Sequence, residues 1–182
     1  MINTYKYKFT RLQEEIFRLL CIKSGSVLNQ RQIAKLLNVS PPAVANSISE
    51  LQKSGLIMYK KDIGINLTQI SLNRDNKLAL QFKRTENLRQ IYESGLSEYL
   101  ENEFPGATII LFGSYSRGDD IMTSDIDIAV IGRKEKKINP KGYEKSLERI
   151  IRINFYESFV TIHKHLKENL CNGILLSGGV EL

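Results

Sequence analysis

Apolar residues recur at helical spacing through the first third of the chain. Leu12, Ile16, Leu19 and Leu20 fall on one face of a predicted helix that Thr10 opens, with Gln13 three residues on as capping-box partner and Gly25 beyond its end. Asn29, with Gln32, caps a short second helix whose Ile33, Leu36 and Leu37 are expected to face inward, and Asn38-Val39 makes the following turn. Ser40-Pro41-Pro42 starts a third helix, with Ser40 as cap and Pro41 at the first position, where its missing N–H costs nothing. Val44, Ile48 and Leu51 form the buried stripe of that helix, and Gly55 stops it. The period then changes. Residues 56–59, a charged turn from Lys60 to Gly64, and residues 65–72 predict two strands joined by a turn.

Residues 73–103 return to helical spacing. Leu78 and Phe82 lead into Leu88, Ile91, Tyr92, Leu96, Tyr99 and Leu100, with a break at which Thr85 caps a second helix. These helices are expected to pack between two domains, and part of their stripe offers a seam for a homodimer. Pro105-Gly106 closes the segment. Two strands follow, Ile109–Phe112 and Asp125–Ile131, then a helix over 140–149, a strand over 150–156, a helix over 157–170 and a short strand in the tail. Cys171-Asn172-Gly173 ends the last helix.

In the strand that begins at Asp125, alternation turns Asp125 and Asp127 to one side while Ile126, Ile128 and Val130 enter a core. Two carboxylates about 7 Å apart along a strand suit a hard divalent cation that leaves other positions to phosphate oxygens. Gly113-Ser114, at the end of the preceding apolar run, offers backbone N–H groups and a hydroxyl to a triphosphate.

Gly113-Ser114, ten intervening residues and Asp125-Ile126-Asp127 resemble the signature of the polymerase-β-type nucleotidyltransferase superfamily, its minimal members above all. Ser116 stands at the alanine place of their Gly-Ser-x-Ala-Arg-Gly loop. The resemblance spans residues 105–182. It implies that Gly113 and Ser114 hold the terminal phosphates of an NTP, that Arg117 lies beside the triphosphate, and that Asp125 and Asp127 bind Mg²⁺ or Mn²⁺ as the catalytic acids. Arg117 has a second reading, an ion pair with Asp119 or Asp120 in the polar gap, where both acids are expected at the surface. The family also uses a third carboxylate on a later strand. Here Ile151, Ile153 and Phe155 form that strand's apolar face, and Asn154, on the face of Arg152 and Tyr156, occupies the acid's position. An amide carries no charge and accepts no proton as a general base. Glu148 or Glu157 substitutes only if the strand register differs.

The front segment resembles winged helix-turn-helix transcription regulators over about 60 residues, through its Ser-Pro-x-x-Val … Gly-Leu-Ile phrase. On the third helix Pro42, Ala43, Asn46, Ser47 and Glu50 are left outward. With the cap Ser40, the first four form the candidate duplex-DNA surface, and Asn46 and Ser47 are placed for base edges. Lys60 and Lys61 in the wing are candidate phosphate neighbours. For Asn46 and Ser47, a solvated helix surface is the other reading.

Charge segregates along the chain. Up to Leu72 there are ten Lys and Arg against four Asp and Glu, and from Asn73 onward sixteen against sixteen, so the whole net charge of +6 lies in the first segment. A basic excess confined to one domain is the footprint of nucleic-acid binding. Cys21 and Cys171 form no spaced cluster, so neither a disulfide framework nor zinc is implied, and Cys21 beside Ile22 is expected in the core. His163 and His165, two apart on a helix, cannot both reach one metal and are expected as surface or capping groups. No apolar run reaches membrane length, and a cytoplasmic protein is expected.

The expectation is an α+β chain: a winged helix-turn-helix DNA-binding domain over 1–72, a helical linker over 73–104, and a small α/β nucleotidyltransferase-like domain with a mixed sheet over 105–182. Two functions fit. One is metal-dependent transfer of a nucleoside monophosphate from NTP to a protein or nucleic-acid acceptor. The other is a DNA-binding transcriptional regulator whose nucleotidyltransferase-like domain binds nucleotide without efficient catalysis.

Overall fold

A computed structural model of the chain describes residues 8–62 and 67–180. The chain divides into two compact units, Met1–Ala79 and Leu80–Leu182.

In the first unit three helices, α1 (Arg11–Ile22), α2 (Gln30–Leu37) and α3 (Pro41–Lys53), precede an antiparallel pair, β1 (Ile57–Asp62) and β2 (Leu67–Leu72). This is a winged helix-turn-helix arrangement. The expected caps are formed. Thr10 and Gln13 exchange both capping-box bonds, as do Asn29 and Gln32, and the Ser40 hydroxyl accepts from the Ala43 amide. Ile16, Leu20, Cys21, Ile33, Val44, Ile48, Leu51, Leu56 and Ile70 are buried and form the core of this unit. Leu36 does not join them: it is 52% exposed, and Ala34 takes the inward place on α2. Lys60 and Lys61 lie within β1, opposite Gln69 and Thr68, rather than in a turn. The turn expected around Gly64, and the first residues of the second strand, Ile65 and Asn66, lie outside the described residues.

Two helices open the following segment. α4 (Lys77–Glu93) runs unbroken through Thr85, whose hydroxyl donates back to the Phe82 carbonyl instead of capping a new helix. The break falls at Gly95, in a left-handed conformation (φ 77°), which starts α5 (Leu96–Glu103). The boundary between the two units falls within α4, and most of both helices belongs to the second unit. Ile91, Leu96 and Leu100 are buried with Ile109, Leu111, Ile126, Ile128 and Val130 in one core cluster, so the stripe expected to pair two copies is largely spent inside the second unit. Tyr92, counted in that stripe, is 51% exposed.

The sheet of the second unit comprises β3 (Thr108–Phe112), β4 (Ile126–Ile131), β5 (Ile151–Tyr156) and β6 (Ile174–Ser177) in the order β5-β4-β3-β6. It is mixed: β3 is antiparallel to β4 and β6, and β4 is parallel to β5. A five-residue helical turn, α6 (Gly113–Arg117), follows β3, and α7 (Lys141–Leu147) makes the crossover between β4 and β5. One face of the sheet carries the core built with α5. The other packs Ile110, Phe112, Ala129 and Ile131 against Phe159, Ile162 and Leu170. Phe159 and Ile162 come from turns rather than helix, because α8 is shorter than expected (Lys164–Cys171). His163 and His165 are exposed, as expected. Among the described residues, no helix is long and apolar enough to cross a membrane.

Candidate functional site

The site lies where β3 ends and β4 begins. Phe112 pairs with Asp127, so Gly113, the next residue, is set against the Asp127 side chain. Gly113 has φ 74°, and a Cβ there would stand 2.6 Å from Asp127 Oδ2. Only glycine fits. The Gly-Ser step does not form an open turn but leads directly into α6, closed by Gly118 (φ 82°), whose absent Cβ would meet the Leu80 carbonyl at 2.5 Å. Ser114 is partly exposed, whereas Ser116 is buried with its hydroxyl donating to the Gly113 carbonyl. Gly113, Ser114, Asp125 and Asp127 are thus brought to one end of the sheet.

Arg117 takes its second reading. Its Nε lies 3.2 Å from Asp119 Oδ2, with both side chains about half exposed. Asp120, expected at the surface, is fully buried. It pairs with the equally buried Lys83 of α4, accepts from Asn87 Nδ2 at 2.7 Å, and lies 3.7 Å from Arg149 Nη2. Asn87 Nδ2 also donates to the Tyr115 carbonyl, at 2.8 Å. This buried polar cluster ties the loop after α6 to α4. The sequence signal for it was present but inverted: Ala79, Lys83, Asn87 and Ile91 repeat every four residues, and the polar members hid a buried stripe.

β5 supplies the third wall. In the parallel register Arg152 is level with Asp127, and Asn154 with Ala129. The face of β5 turned to the site carries Arg152, Asn154 and Tyr156. Arg152 Nε lies 2.7 Å from Asp125 Oδ2. Burial, and then the charge of Asp125, push the Asp127 carboxyl above the usual carboxylate range, while Arg152 pulls it back. Burial, and then Asp127, push the Tyr156 phenol up as well.

Two carboxylates and the oxygens of a bound triphosphate match how Mg²⁺ is commonly held, through one or two protein carboxylates plus substrate phosphates. Among the described residues no three His, Cys, Asp or Glu side chains gather to hold a metal ion. The two carboxylates fit a divalent ion shared with a phosphate.

Residues 93–172 match the nucleotidyltransferase domain family. The nucleotidyltransferase match begins at the end of α4, which agrees with α5 belonging to the second unit. Residues 13–65 match the model described as the iron dependent repressor N-terminal DNA binding domain. A Methanocaldococcus jannaschii protein described as an uncharacterized HTH-type transcriptional regulator is 33% identical over 72 residues, a match spanning 40% of this chain and 57% of that protein. The chain therefore spans little more than half the length of this curated relative. Among solved structures, the adhesin competence repressor from Streptococcus pyogenes aligns at 26% identity over 56% of this chain and 71% of that one, with a TM-score of 0.43. A mutant of Lactococcus lactis ZitR in complex with DNA aligns at 27% identity over 58% and 68%, with a TM-score of 0.39. Likenesses this loose do not bear on function.

On α3 Pro41, Pro42, Ala45, Asn46, Ser49, Glu50, Gln52 and Lys53 are exposed, as is the cap Ser40, with Ala43 half-buried. Ser47 leaves the candidate DNA surface. It is 8% exposed and its hydroxyl donates to the Ala43 carbonyl at 2.9 Å. Counting the pattern from Ser47 as outward overlooked that it lies next to Ile48 and three positions from Val44, on the buried side. Lys60 and Lys61 are exposed on β1.

Proposed function

We propose that the chain is a DNA-binding transcriptional regulator whose nucleotidyltransferase domain binds a nucleoside triphosphate with one divalent ion and does not transfer it efficiently. The observation that carries this reading is Arg152. A guanidinium stands level with Asp127 and grips Asp125, and the β5 face beside the acids, Arg152, Asn154 and Tyr156, offers no third carboxylate to complete a two-metal site and serve as base. The residues that remain are suited to holding a triphosphate: Gly113 and Ser114 at the end of β3, and Asp125 and Asp127 for the ion, which would supply positive charge beside the phosphate oxygens. Arg117, exposed on the same helical turn, is within the reach of its own side chain from Ser114 and can exchange Asp119 for phosphate.

DNA recognition is assigned to the first unit. The net charge of +6 over residues 1–72, the exposed Asn46, Ala45 and Ser49 on α3, and Lys60 and Lys61 on β1 support it. The family match over residues 13–65 supports it too.

A second reading, metal-dependent nucleotidyl transfer to a macromolecular acceptor, is favoured by the close fit of Gly113 on Asp127. One experiment separates the two. Purified protein is incubated with labelled NTPs, Mg²⁺ or Mn²⁺ and cell extract, and its melting is followed in parallel. Protection against melting without label transfer supports the regulator. Transfer that disappears in Asp125→Ala and Asp127→Ala establishes the enzyme.

A further inference from the structure

Beside Asp125 lies an open pocket of about 320 Å³. Its walls include Met122, Ser124, Asp125, Glu144, Arg149 and Ile150. It opens at the same end of the sheet as the phosphate-binding residues, since Asp125 and Ile150 immediately precede β4 and β5 and the Ile126 amide donates to the Ile150 carbonyl at 2.8 Å. Across that end of the sheet the order is Gly113-Ser114 after β3, then the acids of β4, then the cavity at β5. Asp125 belongs to both.

The cavity is built before any ligand arrives. Ser124 closes the turn under Met122, accepting from the Ile121 amide at 3.0 Å through its hydroxyl and donating its own amide to the Ile121 carbonyl. Arg149 is 6% exposed and anchored towards the buried Asp120. The Glu144 carboxylate accepts from the Ile151 amide at 3.0 Å, which fixes α7 to the start of β5.

Its chemistry is mixed in a particular way. Met122 and Ile150 are large apolar residues left 42% and 61% exposed at the rim. Glu144 and Glu148 add carboxylates and Ser124 a hydroxyl. Three carboxylates, Asp125, Glu144 and Glu148, outnumber the one lining cation, Arg149, which is turned towards Asp120, so the lining disfavours a phosphate. A flat heterocycle is not disfavoured: its faces lie on Met122 and Ile150, and its N–H edge meets oxygen acceptors. The volume sits at the lower end of the roughly 300–1,000 Å³ usual for small-ligand pockets.

We propose that this cavity receives the nucleoside end of the nucleotide whose triphosphate lies at Gly113-Ser114. The inference rests on the nucleotide-binding reading above and adds what that reading leaves open, namely which part of the protein reads the base. Met122 and Ile150 are then specificity-determining residues and Glu144 and Glu148 the acceptors for the base edge.

The test compares inorganic tripolyphosphate with ATP, GTP, CTP and UTP by calorimetry on the full chain in Mg²⁺. At least one NTP is expected to bind roughly tenfold or more tightly than tripolyphosphate. In Ile150→Ser and Met122→Ser, neutral changes at exposed positions, that advantage shrinks, while tripolyphosphate affinity reports the phosphate end alone and serves as the control for folding. Equal affinity for tripolyphosphate and every NTP overturns the cavity assignment and leaves the triphosphate site standing, as does an NTP advantage that survives both substitutions. No binding of either kind of ligand overturns the cavity assignment and the nucleotide-binding reading together.

Discussion

Arg152 Nε lies 2.7 Å from Asp125 Oδ2, and Arg152 is the strand neighbour of Asp127. One guanidinium thus balances an acidic pair that in a two-metal transferase is balanced by cations from solution. Arg152 and a divalent ion compete for the same Asp125 oxygen. Replacing Arg152 with Ala is expected to raise Mn²⁺ affinity of the nucleotide-free protein by roughly tenfold. Titration followed by electron paramagnetic resonance reads this directly, and unchanged affinity means that the ion pair does not compete.

Gly113→Ala forces a side chain into φ 74° and sets its Cβ 2.6 Å from Asp127 Oδ2. The backbone strain alone costs on the order of 1–3 kcal/mol. Gly95→Ala is the control, because Gly95 has φ 77° and nothing within 4 Å of its absent Cβ. Denaturant unfolding is expected to show both variants destabilised. Only Gly113→Ala is expected to lose NTP binding as well.

Asp127 is held above its ordinary titration range, by burial first and by Asp125 second. A carboxyl whose pKa is raised on folding favours the fold fully below its unfolded value, about 3.9, and that contribution is lost as pH rises through the raised folded value. Asp127 therefore weakens the fold as pH rises. Asp127→Asn is expected to melt above the wild type at pH 7, with the gap closing towards about pH 4. A lower melting temperature at pH 7 contradicts this. Ligand binding is expected to be lost in the same variant, the mark of a functional group kept at the expense of stability.

Duplex DNA binding by the first unit is expected to weaken steeply with salt, because lysines that neutralise phosphates release counterions. Lys60→Ala with Lys61→Ala is expected to lower both affinity and the slope of its salt dependence, by roughly two phosphate contacts. Fluorescence anisotropy at several salt concentrations measures both. A flat salt response contradicts the electrostatic assignment.

The sequence carried the helix starts, the acidic strand and the Gly-Ser step, because each rests on local chemistry: a capping side chain, a period of two, a glycine that must be glycine. It misled wherever burial ran against polarity. Asp120 looked like loop surface and is buried, since its partner Lys83 lies 37 positions away and no local pattern links them. Thr85 has the composition of a cap, yet a hydroxyl bonded to the preceding turn sits equally well inside α4. The place of α4 and α5 was hidden for a related reason: Ile91, Leu96 and Leu100 show the same stripe whether they join domains or roof a sheet, and only the sheet they cover decides. The alternating faces of β5 are local and legible, whereas its pairing with β4, which sets Arg152 beside Asp127 and Asn154 beside Ala129, joins strands far apart in sequence and is not.

The central claim is that Asp125, Asp127 and the Gly113-Ser114 step form a nucleotide site. Calorimetric titration of each common NTP with Mg²⁺ into the full chain, beside its Asp125→Ala/Asp127→Ala variant, tests it most directly. Saturable heat from at least one NTP in the wild type and none in the variant is the expected result. Silence from every NTP with Mg²⁺ and with Mn²⁺, or equal binding by the variant, would contradict the claim.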